Sequence, residues 1–153
     1  MPLKELRGIF PNWSGRSRDM TSPEDGNYNC ASWALEEVHR WWEPYGLILP
    51  GPSPPYHWPP ELPQDAKAET YVRLFEMNGY ELAADDSVED GYTKIALYTR
   101  NGEFQHAARQ LSANRWTSKI GEREDISHEL RALERDGPYG YGAATIFMRK
   151  PIG

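Results

Sequence analysis

The spacing of apolar residues predicts two helices in the first half of the chain. After Asn29, apolar positions recur with a helical period along the segment CASWALEEVHRWW. Asn29 is a favourable N-cap for this helix, and Pro44 would stop it. A second apolar stripe covers residues 65–78, where Gly79 is suited to the C-terminal cap. We therefore expect one helix that begins at Cys30 and another over 65–78.

The pattern changes to strict alternation in the second half. Residues 93–100 and 103–111 alternate, and the Asn101-Gly102 pair between them is the strongest short signal for a β-hairpin. Three further elements are predicted: a strand over 115–120, a short helix over 126–135 closed by Gly137, and a last strand over 143–149. Helices followed mainly by antiparallel strands indicate an α+β fold.

The remaining segments favour irregular structure. Residues 1–26 are rich in turn-forming residues and are expected to be an irregular N-terminal arm. Prolines and aromatics crowd residues 44–63, which cannot sustain a helix or a central strand because proline fixes φ and lacks an N–H donor. We expect a single domain over 27–150, with the 44–63 loop at the border of a cleft beside the first helix.

Composition and charge narrow the possible functions. The 153 residues include one cysteine, so an intramolecular disulfide and a four-cysteine zinc site are excluded. The net charge is -6 and basic residues form no run, which argues against nucleic acid as a partner. The sequence contains no run of about 18 apolar residues, so no membrane-spanning helix is predicted, and no secretory signal is recognisable. We expect a cytoplasmic protein, or an effector delivered by a dedicated machine.

The hairpin register gives a candidate for catalytic chemistry. A regular two-residue loop places Leu97 opposite His106 and Ile95 opposite Ala108, and these residues share an apolar face. We therefore expect His106 to face the helix that begins at Cys30. A thiol at a helix start experiences partial positive charge, and an imidazolium nearby favours the nucleophilic thiolate. The sequence thus predicts Cys30 as nucleophile and His106 as general base.

A third catalytic residue is less closely defined by the sequence. Asp125 could orient the His106 ring, or it could serve as the N-cap of the predicted helix after it. A regular connection over 111–116 would bring Thr117 and Lys119 onto the face of His106, whereas a one-residue bulge would bring Ser118 there. Both alternatives remain open at this point. Lys119 could bind a substrate carboxylate or be solvated, as lysine usually is.

The tetrahedral intermediate of acyl transfer also needs hydrogen-bond donors and a substrate surface. The backbone N–H of Cys30 is one candidate donor for the oxyanion, and the side-chain amides of Asn27 and Asn29 are others. The N-cap role is favoured for Asn29, which makes Asn27 the better oxyanion candidate of the two. Candidates for contacts with substrate, each with a core or solvated position as the alternative, are Trp33, Trp58, Trp116 and Lys119.

Three segments give the chain a resemblance to known proteins: NYNCASWAL, KIALYTRNGEFQHAARQL and WTSKIG. Their layout resembles the papain-like cysteine hydrolases of the NlpC and CHAP kind. Over residues 27–150 the chain is more similar to an uncharacterised bacterial family with an Asn-Cys helix start, a His-Ala strand and a Trp-x-Ser-Lys-x-Gly segment. The resemblance implies a papain-like fold, with Cys30 as nucleophile and His106 as base.

The implied reaction is hydrolysis or transfer at an amide, isopeptide or thioester bond through an acyl-cysteine intermediate. Such a peptidase, amidase or deamidase would act on a protein or peptide and would need no cofactor. One alternative is a non-catalytic binding or inhibitor domain whose tryptophans form an interface. Another is a zinc site, whose four ligands would be Cys30, His57, His106 and His128.

Overall fold

A computed structural model describes residues 3–15, 19–22, 29–36, 41–42, 56–120, 125–137 and 140–152. Its helices are α1 (Leu3–Ile9), α2 (Cys30–Ala34), α3 (Ala68–Met77) and a 3₁₀ helix (Leu130–Leu133). The first strands are β1 (Met20–Ser22), β2 (Trp41–Trp42), β3 (Tyr56–His57) and β4 (Glu81–Ala83). The later strands are β5 (Tyr92–Arg100), β6 (Glu103–Ser112), β7 (Arg115–Lys119), β8 (Asp125–His128) and β9 (Ala143–Pro151).

One antiparallel sheet organises the described part of the chain. Its seven strands follow the order β1-β8-β7-β6-β5-β9-β4, and β2 and β3 form a separate parallel pair. The long strands β5 and β6 lie near the centre, where their middle residues are buried on both faces, and the long strand β9 pairs with the other edge of β5. The expected α+β class is confirmed. Within the described ranges, no helix combines the length and apolarity needed to cross a membrane.

The sheet separates two hydrophobic cores. The first core lies between the sheet and α1 with the 3₁₀ helix, and it includes Leu6, Phe10, Tyr98, Ala108, Trp116 and Leu133. The second lies between the sheet and α2 with α3, and it includes Ala31, Ala34, Leu74, Phe75, Leu97 and Ala107. Because successive side chains of a strand point to opposite faces, the register of each strand decides which core its functional residues enter.

Several predicted elements differ from the structure. The helix at Cys30 ends at Ala34, because Glu36 adopts a positive φ of 60° that a right-handed helix does not tolerate, and Trp41–Trp42 is a strand. The arm contains α1 and β1, so it is not wholly irregular. Instead of a helix over 126–135, β8 pairs with β7 and only a 3₁₀ turn follows. The helix over 65–78 is confirmed as α3.

The hairpin turn is confirmed, but the predicted pairs Leu97–His106 and Ile95–Ala108 are wrong. Both turn residues have positive φ, at 53° for Asn101 and 78° for Gly102, as a two-residue hairpin turn requires. After the pair Thr99↔Phe104, one extra residue bulges from β6, so that Tyr98 lies opposite His106. Leu97 therefore faces Ala107, and His106 enters the first core.

Candidate functional site

Helix α2 begins with a complete capping box. The Asn29 Oδ1 accepts a hydrogen bond from the Ser32 backbone N–H at 3.0 Å, and the Ser32 hydroxyl accepts one from the Asn29 N–H at 3.2 Å. The Asn29 Nδ2 donates to the Trp42 carbonyl at 3.2 Å. The N-cap role of Asn29 is thus confirmed, and its amide is committed to structure rather than to an oxyanion. The other predicted amide donor, Asn27, lies outside the described residues.

The contacts at the end of α2 fix its direction across the sheet. The Tyr80 hydroxyl donates to the Ala34 carbonyl at 3.4 Å and also bonds Thr93, near the start of β5. Burial, followed by the charge of Glu36, raises the pKa of this hydroxyl to about 12, so the tyrosine stays neutral. The C-terminal end of α2 therefore lies over the part of the sheet where β5 begins, close to Thr93.

The other end of α2 points towards the middle of the sheet. The Trp33 indole Nε1–H donates to the Thr117 hydroxyl on β7 at 3.0 Å. Ala31 packs in the same core as Ala107, which lies further along the sheet from Thr93. Because Cys30 precedes Trp33 by about one helical turn, the half-buried thiol lies towards the end of β7 that carries Lys119.

Two charged side chains are buried on the sheet face that α2 covers. Lys119 on β7 and Asp125 on β8 are direct cross-strand partners, and each has 0% exposure. Lys119 points to the same face as Thr117, because strand residues two apart point the same way. Asp125 shares that face as the cross-strand partner of Lys119. Helix α2 lies over β6 and β7, so Lys119 is one strand nearer to the thiol than Asp125 is. This burial excludes the solvated alternative for Lys119.

His106 lies on the opposite face of the sheet. It is 1% exposed and stacks on Tyr141, with ring centres 4.1 Å apart. It also packs edge-to-face with Tyr98, with ring centres 5.4 Å apart. Its Nε2 has no hydrogen-bond partner among the described residues. Burial lowers the pKa of His106 well below 6.5, and the charge of His128 lowers it further. The expectation that His106 faces the helix of Cys30 is therefore wrong.

Ser118 joins His106 on this face, as the bulge alternative predicted. The extra residue between Gln110 and Ser112 sets this parity. The Ser118 hydroxyl lies 2.6 Å from the His128 Nε2, and the His128 Nδ1 lies 2.8 Å from the Glu129 carbonyl. This carbonyl fixes the ring proton on Nδ1, so the serine donates to Nε2. Both side chains have 0% exposure, so Ser118 serves the core rather than the thiol.

Asp125 has neither of its expected roles. It lies on the face opposite His106 and cannot orient that ring, since the sheet stands between them. It is also part of β8, so it caps no helix. It is instead the cross-strand partner of Lys119, on the face of the second core. Lys119 and Asp125 thus lie on the sheet face that the helix of Cys30 covers, whereas His106 and Ser118 lie on the other face.

The tryptophans divide between core and site. Trp58 is 2% exposed and donates its indole N–H to the Pro63 carbonyl, and Trp116 is 1% exposed in the first core. The expected substrate contacts of these two residues are wrong, and their alternative core positions are confirmed. Trp33 is half-buried, and the Arg109 guanidinium lies 5.2 Å from its ring centre. Of these three tryptophans, only Trp33 is partly exposed.

The zinc alternative does not fit this arrangement. Cys30 and His106 occupy opposite faces of the sheet, and the side chain of His57 lies outside what the structure describes. Across the described ranges, no three His, Cys, Asp or Glu side chains come together as a metal-binding group. The donor set needed for zinc is therefore not assembled by the described residues.

Sequence reasoning missed the contribution of Thr117. In the segment WTSK, alternation places Thr117 and Lys119 on one face and Ser118 on the other. The face that meets α2 depends on the two bulges in β6, which the sequence does not mark with glycine or proline. The bond from Trp33 to Thr117 was therefore accessible only from the structure.

One family model matches the part of the chain that contains this site. The model of a family described as "Domain of unknown function (DUF7689)" matches residues 19–149, which span the thiol and both buried charges. No curated protein and no solved structure matches the chain. The match leaves α1 outside its range.

Proposed function

The chain belongs to the DUF7689 family, and we propose that it is a cysteine-dependent acyl-transfer enzyme of papain-like architecture, with Cys30 as its nucleophile. The observation that carries this proposal is the complete burial of Lys119 and Asp125 on the sheet face beneath the helix of Cys30. Burying two charges costs free energy that apolar residues would not cost. Ionisable groups held in this way beside a nucleophile are typical of functional sites.

The buried lysine supplies what the expected histidine would have supplied. An ammonium group close to a thiol favours the thiolate, which is the reactive form. Lys119 is nearer to α2 than Asp125, so its positive charge acts more strongly on Cys30 than the carboxylate does. The helix dipole contributes little, because α2 has only five residues. Asp125, the cross-strand partner of Lys119, adds a carboxylate to the same face.

The reaction then proceeds in two balanced steps. The Cys30 thiolate attacks the substrate carbonyl carbon, and the bond to the leaving amine or thiol breaks as a water molecule gives that group its proton and becomes hydroxide. The acyl group is now a thioester on Cys30. The hydroxide attacks this thioester, which breaks its carbon–sulfur bond, releases the carboxylic acid and restores the thiolate. The backbone N–H of Cys30 is the candidate donor to the oxyanion.

The proposed substrates are peptide or protein amides, isopeptides and thioesters. A short-chain acyl thioester is the simplest probe, because its thiol leaves readily and the acyl-enzyme can be weighed. We expect intact-mass measurements to show one added acyl group per chain, located on the peptide that contains Cys30. Cys30→Ser removes the nucleophile and should give no adduct.

Two controls separate enzymic acylation from ordinary thiol chemistry. The same thiol in the urea-unfolded chain gives the uncatalysed rate, which the folded protein should exceed by about 100-fold. A Lys119→Met, Asp125→Leu double variant removes both charges together and should lose most of this advantage. Equal acylation of the folded and unfolded chains, or an unchanged rate in the double variant, would refute the proposal.

A further inference from the structure

We propose that Thr117 is a positioning residue, which holds the helix of Cys30 in place over Lys119 through its hydrogen bond to Trp33. This inference rests on the proposed function, because it concerns how the same thiol is placed. The bond runs from the indole Nε1–H to the threonine hydroxyl at 3.0 Å, and Thr117 is 3% exposed. It joins the helix that carries the thiol directly to the strand that carries the ammonium.

Helix α2 needs such a connection, because five residues do not form a stable helix on their own. Its N-cap ties its start to the Trp42 backbone, and Tyr80 ties its end to the region of Thr93. Neither contact reaches β7. The position of Cys30 relative to Lys119 is therefore set by contacts such as that between Trp33 and Thr117.

The spacing of residues on α2 and on β7 lets this bond determine the position of Cys30 relative to Lys119. Trp33 follows Cys30 by three residues, which is about 4.5 Å along a helix and on the same side of it. Lys119 follows Thr117 by two residues, which is about 6.7 Å along a strand and on the same face. A fixed distance between Trp33 and Thr117 therefore limits the range of positions that Cys30 can take relative to Lys119.

A second contact holds the indole against the sheet. Arg109 is the cross-strand partner of Thr117, its guanidinium lies 5.2 Å from the Trp33 ring centre, and it forms an ion pair with Glu36 just after α2. The indole thus meets both β6 and β7. Trp33 is better explained as part of this support than as a surface for substrate, since its N–H is already engaged.

The test measures the rate at which iodoacetamide alkylates Cys30 as a function of pH. The midpoint of that curve reports the thiol pKa in the folded protein, which a loss of stability alone would not move. Thr117→Val keeps the shape and removes the acceptor, whereas Thr117→Ser keeps a hydroxyl. We expect Thr117→Val to raise the midpoint towards about 8.5, the ordinary value for a thiol, and Thr117→Ser to stay near the wild type.

Trp33→Phe provides an independent variant if Thr117→Val fails to fold. It removes the donor and should raise the midpoint in the same direction. Wild-type midpoints in both folded variants would overturn the positioning role. The Lys119→Met, Asp125→Leu double variant tests the proposed function separately in the same assay. An unchanged midpoint in that double variant would refute the charge mechanism and, with it, the role of Thr117. A raised midpoint in the double variant together with wild-type midpoints in Thr117→Val and Trp33→Phe would refute the role of Thr117 alone.

Discussion

Lys119 on β7 lies directly opposite Asp125 on β8, and neither side chain is exposed. Removing one of two opposite buried charges leaves the other charge in a region of low dielectric constant, whereas replacing both with apolar groups is often neutral or stabilising. We expect Lys119→Met alone to lower the free energy of unfolding by about 3–5 kcal/mol. The Lys119→Met, Asp125→Leu double variant should remain close to the wild type. Urea denaturation of the three proteins measures both effects, and equal losses in the single and double variants would contradict this account.

The first core should make the fold sensitive to acid. Burial lowers the pKa of His128 from 6.5 to about 4 in the folded chain, and it lowers that of His106 as well. A histidine with a depressed folded-state pKa contributes its full stability above pH 6.5, and that contribution is lost as the pH falls towards 4. For His128 alone the loss is roughly 3 kcal/mol.

Urea unfolding at about pH 7 and about pH 4 measures this loss. Carboxylates titrate over part of the same range, so a matched variant is needed. His106→Leu removes one buried imidazole without adding a charge, and the fall in its unfolding free energy between the two pH values should be smaller than in the wild type. An identical fall in both proteins would show that His106 does not contribute to the acid sensitivity.

Ser118 should matter for stability and not for acyl transfer. Ser118→Ala leaves the buried Nε2 of His128 without its donor, which costs about 1–3 kcal/mol. The rate of Cys30 acylation by a thioester should be unchanged, since Ser118 faces the other core. Ser112→Ala, at an exposed position on β6, is the control for a harmless loss of a hydroxyl. A large loss of acylation without a loss of stability would instead indicate a catalytic serine.

Local patterns in the sequence were sufficient for much of the fold. The stripe over 65–78 gave α3, and Asn101-Gly102 gave the hairpin turn, because both signals depend on residues close in the chain. The segment after Asp125 was predicted as a helix from its composition. In the structure, pairing with β7 places Ile126 and His128 in the first core, so tertiary contacts override the local preference.

The candidate site was predicted only in part, and the reason is the register. The sequence indicated Cys30 at a helix start and Asn29 as its cap, which the structure confirms. It placed His106 on the wrong face, since one extra residue in β6 exchanges the two faces of every residue beyond it. A second bulge then decides between Ser118 and Lys119. Neither bulge has a residue type that marks it in advance.

The most direct test of the account compares the source of thiol activation on the two faces of the sheet. Iodoacetamide alkylation of Cys30 against pH is measured for the wild type, His106→Leu and the Lys119→Met, Asp125→Leu double variant. The account predicts a wild-type midpoint below about 8.5, the same midpoint in His106→Leu, and a rise towards 8.5 in the double variant. A rise in His106→Leu with no change in the double variant would contradict it.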